Sequence, residues 1–178
     1  MKTTLLFLSV FLCTSLFGQS AEDYRQRGNV YRKEKKYSEA LINYLISKEM
    51  NPYNWELYSD IGWMHYNNKN YSEAIEAYES GKKLAPHQER FYDFLGKCYL
   101  AIGKNEKAIL NFSKWIDLNT DNDGSFIGYS KFTGMGILMD RGLAYLYSGN
   151  KKLACKDWNY AKRLKLMDVD KYIEQHCE

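Results

Sequence analysis

The chain has 178 residues, 45% of them apolar, enough to bury a continuous core in one domain or a short repeat array and too many for a disordered segment. Two prolines against sixteen tyrosines and eight phenylalanines favour long uninterrupted elements with aromatic packing over a turn-rich sandwich. The 25 basic and 22 acidic residues leave a net charge of +3 and alternate in sign as on solvated helix faces, which gives no electrostatic case for nucleic-acid binding.

The first twenty residues, MKTTLLFLSVFLCTSLFGQS, place Lys2 before an apolar run from Leu5 to Phe17, with Gly18, Gln19 and Ser20 after it. This is the layout of a secretory signal, and the run is shorter than the roughly 20 residues that cross a bilayer. Residues 1–20 are therefore expected to be removed near positions 18–20, leaving an exported, periplasmic or secreted chain with no transmembrane anchor. Cys13 follows Val10, Phe11 and Leu12 rather than the small residues that precede a lipidated cysteine, so it reads as part of the signal core.

From residue 21 the sequence repeats itself. YSEALINYLISKEMNP at 37–52 is followed by YSEAIEAYESGKKLAP at 71–86, and the register extends through columns that step by 34. These are Tyr24, Tyr58, Tyr92; Gly28, Gly62, Gly96; Tyr31, His65, Tyr99; Ala40, Ala74, Ala108; and Tyr44, Tyr78, Phe112. Tyr58, Ile61, Gly62 and His65 share one helix face, and Ala74, Tyr78 and Gly81 share another, so each unit is expected to be a helical hairpin. A glycine inside a helix is unfavourable by about 1 kcal/mol against alanine, and its recurrence points to close packing, with Ala40, Ala74 or Ala108 approaching from the second helix and the aromatic columns filling the space around that crossing. Pro52 and Pro86 end the units, and Ser38 and Ser72 are expected as N-caps of the second helices.

These columns resemble the tetratricopeptide repeat family, most sharply in LGKCYLAIGKNEKAILNF at 95–112. The third unit departs in having Asn105 where Tyr37 and Tyr71 stand, and Thr120 in place of proline. RGLAYLYSGNKKLACKDWNYAKRL at 141–164 restores the columns with Gly142, Tyr145, Ala154 and Trp158, each 46 residues after its counterpart. The resemblance implies an all-α, right-handed solenoid of about four helical hairpins. The expected organisation is three repeats over 21–122, an inserted glycine-rich loop over 123–134, a divergent fourth repeat over 135–166 and a capping helix over 167–178, since a solenoid needs a polar cap over its last apolar face.

Nothing in the sequence assembles a catalytic constellation: there is no HExxH, no GxSxG and no phosphate-binding glycine loop, and His65, His87 and His176 are scattered. No enzyme activity, cofactor or metal is expected. NTDNDGS at 119–125 has the alternating oxygens and turn glycine of a calcium loop in Asn119, Asp121, Asp123 and Gly124, but Ser130 stands where a closing glutamate belongs, so a plain polar turn competes with calcium. Cys98, beside Tyr99, reads as a small buried filler. Cys155, early in the last second helix, and Cys177, at the end of the cap, could be bridged or could be two free thiols.

Stacked hairpins leave a concave face lined by the first helices. The positions flanking the packing columns there are Arg25, Asn29, Arg32 and Lys33, then Trp63, Tyr66 and Asn67, then Arg90, Asp93 and Lys97. Cations and aromatics of this kind suit an extended peptide bearing carboxylates, against the plain alternative of a solvated helix face. Some family members clamp a C-terminal carboxylate. Arg25, Asn29 and Arg90 match that clamp, but Asp60 and Phe94 replace an expected asparagine and arginine, so that activity is not carried over. Met139, Leu143, Leu146 and Tyr147 form an apolar end on the same face. The expected function is a non-catalytic protein-interaction scaffold of the bacterial envelope that binds a protein or peptide in the groove. The alternative is a metal-regulated or enzymatic accessory with its site in 121–134.

Overall fold

The computed structural model describes residues 20–127, 130–164 and 169–177. Of the expected leader, only Ser20 falls among them. Helices α1 (Ala21–Lys33) and α2 (Tyr37–Met50), α3 (Trp55–Asn67) and α4 (Tyr71–Leu84), α5 (Glu89–Ala101) and α6 (Asn105–Asn119), and α7 (Ser130–Tyr147) and α8 (Lys151–Leu164) form consecutive hairpins, and α9 (Asp170–His176) follows. Each helix packs against the next, and α5 also touches α7, so the first helices line an inner face and the second helices an outer one. Among the described residues there is no strand, and no helix is long and apolar enough to cross a membrane. This is the all-α hairpin solenoid that the 34-residue columns imply.

Ser20 starts α1 with a capping box: its hydroxyl accepts from the Asp23 N–H at 3.1 Å while the Asp23 carboxylate accepts from the Ser20 N–H at 2.7 Å. Asn54 caps α3 in a similar way, accepting from the Glu56 N–H at 3.0 Å. The expected caps Ser38 and Ser72 lie one residue inside their helices instead, because α2 and α4 begin at Tyr37 and Tyr71 and are preceded by Lys36 and Asn70. The tightness of the hairpin turn explains the shift. Lys35, Lys69, Gly103 and Gly149 all adopt positive φ, of 61°, 60°, 71° and 82°. In each turn the next residue's N–H then reaches back to Tyr31, His65, Tyr99 or Tyr145, a Schellman closure that leaves no spacer for a serine cap. Between hairpins, the Tyr58 and Tyr92 hydroxyls donate to the carbonyls of Pro52 and Pro86, each at 2.9 Å, which ties the connecting turn to the following helix.

The recurring glycines admit an aromatic ring rather than the alanine expected of them. A Cβ on Gly28 or Gly62 would stand 2.6 Å from the Tyr44 or Tyr78 ring, and on Gly96 or Gly142 it would collide with Phe112 or Trp158. Each ring lies four residues after Ala40, Ala74, Ala108 or Ala154, and all eight of these residues are fully buried. Alanine and ring thus share one face of the second helix, and the glycine is the slot that the ring enters. Gly142→Ala should therefore destabilise the fold by about 2 kcal/mol through overpacking against Trp158. In the same helix, Gly136→Ala meets nothing within 4 Å and should stabilise it by about 0.5–1 kcal/mol through helix propensity. Urea titrations of the two variants check this contrast; equal effects would contradict it.

The expected loop over 123–134 is only partly a loop, because α7 begins at Ser130 and is longer than the other first helices. Residues 120–127 form a short excursion closed by a bridge between Thr120 and Phe126. Phe126 stacks on Tyr160 at 5.9 Å, tilts against Trp115 at 6.1 Å and fills the space that a Cβ on Gly134 would need. Trp115 occupies the column of Gly81, against which Phe91 packs directly. The excursion thus supplies a ring that packs against Trp115 where the third hairpin meets the fourth. At the C-terminus, Cys155 and Cys177 are bridged, and Tyr172 and His176 of α9 cover the Trp158 ring at 5.6 and 5.8 Å.

Candidate functional site

The first helices bring the expected inner-face residues into two groups. In the first, Asp60 of α3 receives a hydrogen bond from Arg25 Nε at 3.0 Å, and Arg25 also pairs with Glu56. Burial raises the Asp60 carboxyl, opposed by the guanidinium groups of Arg25, Arg32 and Arg90. Arg32 lies over the Trp63 ring at 5.3 Å and donates to Asn29 Oδ1 at 3.3 Å. Asn29 Oδ1 also accepts from the Tyr44 hydroxyl at 2.9 Å. Arg90 stays exposed. The cations expected to face a ligand are thus partly engaged within the fold, which the columns could not reveal because the partners sit on the neighbouring repeat.

In the second group, Lys97 Nζ lies 2.8 Å from the Asp93 carboxylate and 5.5 Å from the centre of the Phe94 ring. Tyr66 packs edge-on against Phe94 at 5.6 Å, and Phe94 stacks on Tyr78 at 5.2 Å. Asp140 of α7 joins this group. Burial pushes its carboxyl up to about 6, with Lys97 working against the rise and Asp93 adding to it. The signal for Asp140 was present: it stands in the column of Asp60, displaced by the 12 extra residues.

The sign of the Asp140 effect follows from linkage. Its folded-state pKa exceeds the ordinary aspartate value, so the folded chain holds the proton more tightly and stability rises as pH falls from about 6 towards 4. Asp60 and Asp93 are shifted the same way, so the informative quantity is the difference from Asp140→Asn. The variant should be more stable than the parent above pH 6 and converge with it near pH 4. A parallel pair of Tm-against-pH curves would contradict this.

The acidic turn offers less. Asp121 accepts from the Asp123 and Ser125 N–H groups at 3.3 and 3.2 Å, and Asp123 accepts from the Ser125 N–H at 2.8 Å, so both carboxylates already close the turn on themselves. Among the described residues, no group of three His, Cys, Asp or Glu side chains is placed to hold a metal ion. Cys98 is fully buried, and that burial pushes its thiol up to about 12.

Residues 55–88 match one family model described as tetratricopeptide repeat, and residues 89–122 match another of the same description. Residues 55–122 are tetratricopeptide repeats. No curated protein matches the chain's sequence. Its tetratricopeptide solenoid is similar to a crystal structure of MamA, with a TM-score of 0.73 at 20% identity over 85% of this chain and 81% of that one. It is also similar to MamA 41-end from Desulfovibrio magneticus RS-1, with a TM-score of 0.69 at 19% identity over 82% and 76%. The first TPR of Spaghetti (RPAP3), bound to the HSP90 peptide SRMEEVD, aligns with a TM-score of 0.55 at 24% identity over 60% of this chain and 84% of that one. These superpositions establish a shared fold.

Proposed function

We propose that this repeat protein is a non-catalytic scaffold of the bacterial envelope whose inner face binds an extended protein segment bearing hydrogen-bond acceptors. The observation that carries this reading is the Tyr78 hydroxyl, which is buried and has no hydrogen-bond partner among the described residues. Its counterpart Tyr44 donates to Asn29, but one repeat later the asparagine position is Trp63, which offers no acceptor. Arg32 Nε, on the neighbouring repeat, is likewise buried without an acceptor. Buried donors of this kind are rarely left unmet, and a carboxylate or backbone carbonyl lying along the groove would satisfy them once the Phe94 ring stacked on Tyr78 and the Trp63 ring against Arg32 turn aside. The peptide held by the RPAP3 repeat is a precedent for such a ligand on this fold.

The export half of the reading is supported by the signal-like first twenty residues and by the Cys155–Cys177 bridge, a bond that persists in oxidising compartments. The proposed organisation is a leader over 1–20, repeats over 21–122 and 135–166, the inserted segment 123–134 and the cap 167–178.

Affinity capture from an envelope fraction with the processed chain tests the proposal. A specific protein partner should be lost on Trp63→Ala or Arg90→Ala. Tyr78→Phe should weaken its binding about tenfold while leaving the free chain equally or more stable, because the substitution removes an unmet buried donor. A partner held equally by all three variants would overturn the inner-face reading.

A further inference from the structure

The outer face carries a second recessed surface whose chemistry the fold does not demand. Between α4 and α6, over α5, lies an open groove of about 470 Å³ lined by Tyr92, Tyr99, Leu110 and three lysines. One repeat earlier, between α2 and α4, the same place forms a groove of about 240 Å³. Apart from Ile61, whose counterpart Leu95 is buried, the lining residues of the two grooves correspond in steps of 34, so the comparison holds the scaffold constant. Across that step Glu73 becomes Lys107, Glu76 becomes Leu110, Ser80 becomes Lys114 and His65 becomes Tyr99, while Leu45 becomes Glu79, the partner of Lys82. An acidic groove has become a larger, basic and more apolar one.

The charges in the larger groove are also less occupied than those inside the solenoid. Lys82 is neutralised by Glu79 at 2.6 Å, whereas Lys107 and Lys114 have no carboxylate within ion-pairing distance among the described residues. Lys107 rests over the Tyr99 ring at 5.4 Å. Leu110 lies between the two lysines on the same face of α6 and is 70% exposed. An exposed leucine flanked by unpaired cations, beside a tyrosine-walled recess, is a surface prepared for an apolar side chain with acidic neighbours.

We propose that this outer groove is a docking site for an acidic protein segment, with one apolar side chain seated against Tyr99 and Leu110 and flanking carboxylates paired with Lys107 and Lys114. Recession favours a protein segment over a flat lipid surface, since the groove can take up a whole side chain and a headgroup layer cannot enter it to that depth. This site is on the opposite side of the solenoid from the inner face and stands independently of any ligand bound there.

The test uses a short fluorescein-labelled peptide of aspartate and glutamate flanking one phenylalanine, its lysine-flanked counterpart, and phosphatidylserine vesicles, each titrated into the full processed chain. The acidic peptide should bind and the basic one should not. Its amide shift perturbations should centre on residues 99–114, and added salt should weaken it. The double variant Lys107→Glu/Lys114→Glu, which exchanges exposed residues and is checked for folding by circular dichroism, should lose about tenfold or more in affinity, whereas Lys152→Glu, an exposed position on α8 outside both faces' sites, should leave that affinity unchanged. No acidic-peptide binding, equal binding by the double variant, or perturbations centred on the inner face would each overturn the proposal. So would vesicle binding without peptide binding, which would reassign the surface to lipid, or self-association abolished by the double variant, which would reassign it to a second copy of the chain.

Discussion

Arg141→Leu should destabilise the protein by about 3–5 kcal/mol, the largest loss expected from any single substitution here. Arg141 of α7 holds Asp157 of α8 with two parallel hydrogen bonds, Nε to Oδ2 at 2.7 Å and a terminal nitrogen to Oδ1 at 2.8 Å, and donates to Ser113 of α6 at 3.0 Å. Asp157 is only 4% exposed. Removing the arginine strands a carboxylate in the core at the junction of the last two hairpins, and that stranded charge, rather than the lost attraction, dominates the expected loss. Adding Asp157→Leu to the variant should therefore recover most of the stability, because a buried pair exchanged for apolar side chains is often close to neutral. Guanidinium unfolding of the parent, single and double variants measures this directly. A single variant within about 1 kcal/mol of the parent would mean that the pair is hydrated in solution.

Cys155→Ser/Cys177→Ser should remove about 3 kcal/mol, since the bridge closes a loop across a sequence separation of 22. The loss should be local as well as global. A seven-residue helix has no stability of its own, and α9 is held by the bridge, by the burial of Val169 and by the Tyr172 and His176 contacts with Trp158. Hydrogen exchange in the double variant should thus show residues 170–176 losing protection first, with the earlier hairpins protected until higher denaturant. Uniform loss along the chain would contradict this picture, and so would exchange at α9 that does not change.

Much of the fold was legible because repetition multiplies weak signals: one glycine four residues from a tyrosine says little, whereas Gly28, Gly62 and Gly96 in step fix a hairpin and its register. What the columns could not convey was geometry between them. The glycines pointed correctly to close approach, but that the approaching group is a ring rather than an alanine depends on the rotation of the second helix. The cap assignment failed at Ser38 and Ser72 for a reason visible in a column that went unread: Lys35, Lys69, Gly103 and Gly149 share the left-handed turn position, and two lysines there disguise it. The acids of the excursion at 120–127 are conspicuous in the sequence, while its structural contribution rests on Phe126, a residue that carries no chemistry.

The inner face was legible as a set of positions and not as an electrostatic state. Arg25 and Lys97 are where the helix offsets place them, yet both are paired: Asp93 stands four residues before Lys97 on the same helix, a pairing the spacing allows, whereas Asp60 lies on the next hairpin, whose facing depends on the stacking. The outer groove is hidden in the sequence for the complementary reason. Its lysines look like ordinary solvated helix positions until they are set against the glutamates that occupy the same columns one repeat earlier.

The ring-in-slot packing that unites the four hairpins can be observed atom by atom. In a carbon-edited NOESY spectrum, the α-protons of Gly28, Gly62, Gly96 and Gly142 should be shifted by ring currents and should show cross-peaks to the ring protons of Tyr44, Tyr78, Phe112 and Trp158 respectively. Glycine α-protons at random-coil positions with no aromatic cross-peaks would contradict that packing, and with it the stacking of the hairpins on which both faces of the solenoid depend.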